Sequence, residues 1–467
     1  MTRMSLLEAP EAQALLEEAM IEPADVADCR KQIDGFVQRY LPRFYRLEQR
    51  ANAALVIRGL VSGLERKTCE PIARAAGVQR KPIQFFVGNG KWDDEAVMRE
   101  LRAHVAQELA DPEGVLVLDG STFPKKGRAS CEVGRQWCGR LGKVENCQTG
   151  VFLTYAAAGG HALVDRRLFL PPDWAADVGR RAKCHVPGFV IFQEKWRIGW
   201  DMIREHGANL PHQWITGDDE FGRVNELRRR LRESGERYLV DVPCNTLVRD
   251  LERRRPPRRS QKARRREVPF CRAEVWAAKQ PAGRWRRLKV RDGEKGPLMV
   301  EALERRVQTK DEHRRVGPEE RLVVIRTVGD EPAVDYCLCH ADPKVPLSKL
   351  VRVHAARHRI EESLEEGKQE VGLGHYEVRS WVGWHHHMTL CLLALWFVTL
   401  QRRRIGEKKG GDHGRANPPG IHRVAAPAAA HGPANRLDDH RRPDTERGNA
   451  HLQVACGHGP IPTAKAA

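Results

Sequence analysis

The sequence predicts an α/β protein: a mixed sheet flanked by helices and interrupted by a β-rich insertion subdomain, with an all-helical N-terminal domain and a disordered C-terminal tail. Residues 1–110 are predicted to be helical, and residues 51–64 are apolar at helical spacing. Short, wholly apolar runs begin after Gly114, as in buried central strands. Beyond Arg404, prolines, glycines and histidines are scattered without period, which is typical of disorder. The predicted domains are therefore residues 1–110 (helical), 111–245 and 346–404 (the two parts of the core), 246–345 (insertion) and 405–467 (tail).

The composition indicates a basic protein of several domains. A chain of 467 residues is too long for one hydrophobic core, so two or three domains are expected. Lys and Arg total 80 against 62 Asp and Glu, which gives a net charge of +18. Such an excess favours a polyanionic partner, because each neutralised phosphate releases a counterion. Ribosome-associated and membrane-surface proteins share this balance, so nucleic acid is favoured without being singled out.

The sequence favours a cytoplasmic protein with no membrane span. Its start carries carboxylates throughout, unlike a secretory signal. The most apolar run, residues 388–400, is too short to cross a bilayer and is interpreted as a buried helix. The 12 cysteines are then expected to stay thiols in a reducing compartment. A tight cluster from Cys337 to His340 has poor spacing for zinc, so we interpret it as structural.

Two short helices in the N-terminal domain have the outline of a helix-turn-helix. Thr68 can cap a helix over residues 69–76, and Gly77 ends it before a second helix begins. Arg80 and Lys81 lie near the start of that second helix, where DNA-recognition residues lie in helix-turn-helix proteins. Many helical hairpins share the outline, so a purely structural role stays open.

Two apolar strands of the predicted core each end at an aspartate. Residues 115–118 lead into Asp119, and residues 213–216 lead into Gly217 and Asp218. Two further strands, predicted over 147–156 and 162–170, make the opening of this core an antiparallel meander.

The chain between the second aspartate and the end of the core alternates helix, strand and turn patterns. A helix after Gly222 should turn Leu227 and Leu231 inward and its arginines, including Arg228, outward. A basic run at residues 253–266 predicts a mobile loop, either solvated or in contact with phosphates. Strand-like segments divided by Gly, Pro and Asp turns then predict the β-rich insertion.

Residues 351–373 are predicted to form one long helix with two stripes. Apolar residues at spacings of seven, four and seven form a face that can pack into a core. Arg357, Glu361 and Lys368 recur at spacings of four and seven on a neighbouring face, so a carboxylate lies between two cations. A solvated helix with ordinary ion pairs would show the same pattern.

Three carboxylates far apart in sequence are candidates for one metal site. Asp119, Asp218 and Glu361 are separated by 218 − 119 = 99 and 361 − 218 = 143 residues, so only folding can bring them together. Clustered carboxylates repel one another, and a divalent metal resolves that repulsion. Oxygen ligands suit Mg²⁺ or Mn²⁺, and two such ions can activate an attacking oxygen and stabilise the leaving oxygen of a phosphodiester. The alternative is that the aspartates cap helices.

The sequence resembles bacterial insertion-sequence transposases of the DDE superfamily. The branch it resembles has a Tyr-x2-Arg-x3-Glu-x6-Lys signature, which falls here on His354, Arg357, Glu361 and Lys368, with His in place of Tyr. The context of Asp119 is VLVLDGSTFPKKG, with Ser121 where Thr is usual, and WITGDDEFG assigns the second aspartate to Asp218 rather than to its neighbour. The resemblance covers about residues 35–400.

This resemblance implies a ribonuclease-H-like core that cleaves DNA at element ends and transfers the strands into a target. It also implies two Mg²⁺ (or Mn²⁺) ions held by the three carboxylates, a homodimer in the complex with double-stranded DNA, and a bacterial, nucleoid-associated location. Two other functions stay open: a catalytically inactive DNA-binding remnant that represses transposition, and a plain two-metal nuclease. The predicted DNA contacts are Arg80, Lys81, Lys125, Lys126, His354, Arg357 and Lys368.

Overall fold

The computed structural model describes residues 23–252, 268–293, 296–311, 315–329 and 332–408. The basic loop predicted at 253–266 lies outside the described residues, as do residues 409–467 of the predicted tail. The predicted tail starts after Arg404, but the last helix continues to Lys408.

Helices form the first part of the described chain. An aspartate and a glycine mark two of their ends: the Asp93 side chain accepts a hydrogen bond from the backbone N–H of Ala96, and Gly77 adopts a positive φ of 68° after the third helix. Thr68 precedes that third helix, but its side chain makes no capping bond. The helices are α1 (Pro23–Tyr40), α2 (Leu47–Leu60), α3 (Cys69–Ala75), α4 (Arg80–Gly88) and α5 (Asp94–Leu109).

A twelve-stranded mixed sheet follows within the described residues. Its first strands are β1 (Val115–Pro124), β2 (Gly134–Cys138), β3 (Lys143–Ala157), β4 (Gly160–Leu168), β5 (Trp214–Gly217) and β6 (Tyr238–Asp241). Strand β1 pairs antiparallel with β3 and parallel with β5, β3 pairs antiparallel with β4, and β5 pairs parallel with β6. The order β4-β3-β1-β5-β6 therefore places two parallel neighbours beside an antiparallel meander, as the sequence predicted for the opening strands.

Strand β1 is longer than the sequence predicted. We expected it to end at Asp119, and this is wrong, because the strand continues to Pro124. Its parallel pairing with β5 stops at Leu118 opposite Gly217, but its antiparallel pairing with β3 continues to the end of the strand. Asp119 consequently lies within a strand, at the point where one of its two neighbours ends.

Helices α6 (Pro172–Ala176), α7 (Val178–Lys183), α8 (Lys195–His206), α9 (Asp219–Gly222) and α10 (Asn225–Glu233) connect these strands. Leu227 and Leu231 of α10 are buried, as predicted. Arg228 was expected to face outward, and this is wrong: its side chain is only 2% exposed and lies 2.9 Å from the carboxylate of Glu320. A charged partner 92 residues away in the chain makes that burial possible.

The predicted β-rich insertion forms strands that extend the same sheet. These elements are β7 (Leu247–Asp250), β8 (Cys271–Arg272), α11 (Ala273–Ala278), β9 (Arg286–Gly293), β10 (Gly296–Lys310), β11 (Val316–Thr327) and β12 (Val334–His340). Strand β12 pairs antiparallel with β6, with Cys337 opposite Asp241. The sheet then runs on through β11, β10 and β7 to β8. Beside it, a second small core gathers around Val248, Trp276 and Leu322.

Two long helices complete the described chain. The long helix predicted at 351–373 is present as α12 (Leu347–Glu370), which begins four residues and ends three residues earlier than predicted. It packs across β1, β3, β4, β5 and β6. Helix α13 (Trp381–Lys408) contacts α1, α2, α4 and α5 as well as strand β4, so it joins the N-terminal helices to the sheet. Among the described residues, no helix combines the length and apolarity that a membrane crossing requires.

Buried histidines on α13 predict a loss of stability in acid. Burial lowers the pKa of His386 and of His387 to about 4. In the unfolded chain the same histidines have a pKa near 6.5, so below that pH the unfolded state binds protons that the folded state does not. The stability present above pH 6.5 is therefore lost as the pH falls towards 4. We expect the free energy of unfolding to fall by on the order of 2 kcal/mol per histidine at pH 5.

Thermal unfolding followed by circular dichroism at pH 7 and pH 5 measures this effect. The His386→Phe variant keeps an aromatic ring against Trp92, whose ring centroid lies 3.7 Å from that of His386. Because this variant no longer titrates at position 386, its Tm should fall less between the two pH values than that of the parent. An equal fall in both proteins would show that His386 does not contribute.

Candidate active site

The two aspartates lie side by side where one strand pairing ends. Leu118 of β1 pairs with Gly217 of β5, so the next residues, Asp119 and Asp218, lie where the parallel pairing stops at the carboxyl-terminal edge of β5, although β1 itself continues. Side chains at this edge of an open α/β sheet commonly form the ligand site. Both aspartates are half-buried.

Local backbone groups fix the orientation of both carboxylates. The N–H of Gly120 donates to Asp119 Oδ1 at 2.6 Å. The N–H groups of Glu220 and Phe221 donate to Asp218 Oδ1 at 3.0 and 3.3 Å, so Asp218 also caps the short helix α9. The capping role that the sequence left open as an alternative is therefore present, and it uses one carboxylate oxygen.

Glu361 reaches the same region from α12. Its Oε1 lies 2.5 Å from a guanidinium nitrogen of Arg357, and its Oε2 lies 2.9 Å from His358 Nδ1. Burial opposes ionisation of Glu361, but the bonds from His358 and Arg357 outweigh it and hold the pKa of this carboxyl below its usual value. Glu361 is therefore a charged carboxylate.

The three carboxylates interact through their charges. Burial and then the charge of Glu361 raise the pKa of Asp119 to about 7, although Arg357 opposes the shift. Burial and then the charge of Asp119 raise the pKa of Asp218 well above its usual value. The pairing of β1 with β5 places Asp119 beside Asp218, and helix α12 carries Glu361 across β1, so the three carboxylates lie in a site with too little positive charge. A divalent cation would supply it, so these residues fit a metal of the Mg²⁺ type.

Sequence reasoning missed two further acidic residues near this site. Glu220 adds negative charge to both aspartates, and it pairs with Lys195 Nζ at 2.6 Å. Asp241, at the end of β6, lies 2.8 Å from Arg357 Nε and 3.3 Å from His354 Nε2. A charged residue at the end of the apolar run RYLVDV was the available signal for Asp241.

Asp241, Cys337 and His354 bring three potential metal-ligand atoms within 4.8 Å of one another. The Cys337 thiol donates to Asp241 Oδ1 at 3.2 Å, and burial raises the pKa of that thiol well above its usual value. Arg357 already compensates the charge of the Asp241 carboxylate, and a metal bound there would be repelled by its guanidinium. The geometry therefore favours a network of ion pairs, which agrees with the structural role that we predicted for Cys337.

The residues predicted to contact DNA fall into three environments. His354 and Arg357 point into the ion network around Asp241 and are mostly buried. Lys125 Nζ lies 3.3 Å from the ring centroid of Tyr376, and burial lowers its pKa to about 8. Lys368 Nζ lies 5.7 Å from the ring centroid of Phe123.

The remaining predicted contacts are exposed. Lys126 follows the end of β1, and Arg80 and Lys81 begin α4, the second helix of the helix-turn-helix outline. Arg80 pairs with Glu70 of α3 at 3.0 Å. The DNA contacts of all seven residues stay predictions.

Residues 39–297 match the family described as DDE superfamily endonuclease. This match spans more than half of the 467 residues and includes Asp119 and Asp218, whereas Glu361 lies beyond it. The chain therefore belongs to the DDE superfamily of endonucleases.

Two individual proteins are also similar. A probable transposase for insertion sequence element IS701 from Microchaete diplosiphon is 30% identical over 129 residues, which are 27% of this chain and 34% of that protein. The matched stretch thus spans about a third of the length of this relative. A cryo-EM structure of the piggyBac transposase synaptic complex with hairpin DNA aligns with a TM-score of 0.37 at 10% identity, over 86% of this chain and 79% of that one. A structural similarity at that level is too low to bear on function.

Proposed function

We propose that this endonuclease-family protein is an insertion-sequence transposase that cleaves DNA at element ends and transfers the strands into a target. The observation that carries the proposal is that Asp119 and Asp218 lie side by side at the end of the β1–β5 pairing, with the helix of Glu361 packed across the same two strands. Family membership supports endonuclease chemistry, and the similarity to a probable transposase supports the transposition role.

The three carboxylates would hold two Mg²⁺ or Mn²⁺ ions. Bound metal would activate a water or 3′-hydroxyl and stabilise the leaving oxygen of the phosphodiester. Backbone N–H groups fix the orientation of Asp119 and Asp218, and His358 holds Oε2 of Glu361. Such preorganisation matters because ligands must be held within a fraction of an ångström of the productive geometry.

The finer assignments belong to the same proposal. The strand order β4-β3-β1-β5-β6 and its directions support a ribonuclease-H-like core. The spacing of His354, Arg357, Glu361 and Lys368 along one helix supports the branch with the Tyr-Arg-Glu-Lys signature. We also propose the domain division given above, a homodimer in the DNA complex, and action in the bacterial cytoplasm at the nucleoid.

Incubation of the purified protein with DNA that carries its own element ends tests the proposal. With Mg²⁺ the protein should nick the ends and join them to a target plasmid, and EDTA should stop both steps, because the carboxylates need the metal to bind phosphate oxygens. DNA with scrambled ends is the control.

Two outcomes would contradict this proposal. Equal cutting of scrambled DNA without joining would indicate a plain nuclease. Binding that weakens steeply with salt, without cleavage, would indicate a DNA-binding protein that occupies the ends.

A further inference from the structure

The Arg357 guanidinium is shared between two carboxylates from different elements. Its Nε lies 2.8 Å from Asp241 Oδ2 in an ion pair without hydrogen-bond geometry, and another of its nitrogens donates to Glu361 Oε1 at 2.5 Å. Arg357 is mostly buried, with 20% of its side chain exposed, whereas 41% of the Glu361 side chain is exposed. A guanidinium can pair with one carboxylate through two nitrogens, so the two acids compete for it.

If Arg357 paired only with Glu361, the Glu361 carboxylate would be less available to a metal. A carboxylate in a two-nitrogen pair with arginine has its charge compensated and its oxygens occupied. Asp241 draws the guanidinium towards the end of β6 and compensates its charge there. Glu361 therefore keeps negative charge to offer to a cation beside Asp119.

The other charged groups around this network come from three elements. On β12, the Asp335 carboxylate lies 3.7 Å from His354 Nε2, and Cys337 donates to Asp241. On α12, His354 faces Asp241 and His358 faces Glu361. On β1, Asp119 adds its own charge. Of the groups named here, Asp241 and Glu361 are the two that form ion pairs with Arg357.

We propose that Asp241 is a positioning residue for the metal site: by holding Arg357, it keeps the Glu361 carboxylate available to divalent cations. This inference rests on the proposed function, in which Glu361 is a metal ligand. Asp241 contacts neither DNA nor metal in this role and acts only through Arg357. Removal of Asp241 should therefore weaken metal binding, and additional removal of Arg357 should restore it.

A purely structural ion pair would behave differently, and the chain offers a matched control. Asp250, at the end of β7, is also buried and receives bonds from Arg305 Nε at 2.9 and 3.1 Å. It lies beside Trp276 of the second small core, which donates to Asp250 Oδ2 at 3.1 Å. The Asp250→Asn variant loses a comparable buried pair without changing the surroundings of Glu361.

The test is a titration of the purified full chain with Mn²⁺. The concentration of free Mn²⁺ is measured by electron paramagnetic resonance, and it gives the dissociation constant. We expect Asp241→Asn to bind Mn²⁺ about 10- to 100-fold more weakly, the range that outer-shell partners of metal ligands commonly show. Arg357→Gln should bind more tightly than the parent, because it removes a positive charge. Because Asp241 acts only through Arg357, the double variant should bind like Arg357→Gln, and Asp250→Asn should bind as the parent does.

Several results would overturn the inference. Unchanged Mn²⁺ affinity in folded Asp241→Asn would do so, as would a double variant as weak as Asp241→Asn alone. If Asp241→Asn does not fold, Arg357→Gln decides alone, and weaker or equal binding would reject the proposal. A bound zinc ion in the parent that Cys337→Ser loses would make Asp241 a ligand instead.

Failure of the transposase proposal is separately visible. A parent that cuts no element ends, but whose Mn²⁺ binding disappears in Asp119→Asn, would lack the proposed activity and still possess the metal site. The effects of Asp241 and Arg357 on Mn²⁺ affinity could then be read without any cleavage assay.

Discussion

The Asp119→Asn, Asp218→Asn and Glu361→Gln variants should each lose cleavage of element ends by at least about 10³-fold, because each removes a carboxylate that the proposed two-metal chemistry requires. Each substitution keeps the size of the side chain, so the fold should be retained. The measurement is the rate of nicking of labelled element-end DNA in Mg²⁺, with the Tm of each variant as a check on folding.

Neighbouring acids in the chain provide matched controls. Asp219 pairs with Arg223 at 2.8 Å on the surface, and Glu362 pairs with Arg359 at 2.8 Å. Asp219→Asn and Glu362→Gln should therefore cleave at rates within a few-fold of the parent. Parental activity in Asp119→Asn would refute the assignment of the site, and loss of activity in Asp219→Asn alone would move the second ligand by one residue.

Loss of the buried pair between Arg228 and Glu320 should cause a large loss of stability. Glu320 Oε1 accepts bonds from Arg228 Nε at 2.9 Å and from the Tyr238 hydroxyl at 2.7 Å, and neither charged side chain is more than 2% exposed. Arg228→Met leaves the Glu320 carboxylate buried without its cation, which typically costs about 3–5 kcal/mol. Urea unfolding followed by tryptophan fluorescence measures the change.

The next residue is the control for that measurement. Arg229 is half exposed and pairs with Glu226 at 2.6 Å on the surface of the same helix. Exposed pairs contribute less than about 1 kcal/mol, so Arg229→Met should unfold at nearly the parental urea concentration. Equal destabilisation by both substitutions would mean that helix propensity, and not the buried charge, dominates.

The parts of the fold that the sequence predicted have local signals. The apolar runs before Asp119 and Asp218 form buried central strands. The apolar stripe of the helix that carries Glu361 is visible in the sequence without knowledge of the helix's partners. The sequence therefore indicated all three carboxylates of the candidate site. Their catalytic and metal-binding roles stay predictions.

The parts that were missed depend on partners distant in sequence. Strand β1 continues past Asp119 only because β3 pairs with it, and Arg228 is buried only because β11 supplies Glu320. In the sequence, Asp241 is a single charged residue at the end of a strand, and only the folded structure shows that it pairs with Arg357 of α12. A local pattern cannot specify which residue arrives from another element.

Helix α13 packs against both the N-terminal helices and the sheet. Phe36 of α1 packs against Phe397 with ring centroids 5.2 Å apart, and Arg166 of β4 donates to Thr389 at 2.7 Å. Arg80 and Lys81 lie on α4, which α13 also contacts. If α4 binds DNA, its distance from the three carboxylates would set the number of base pairs between the bound sequence and the cleaved bond.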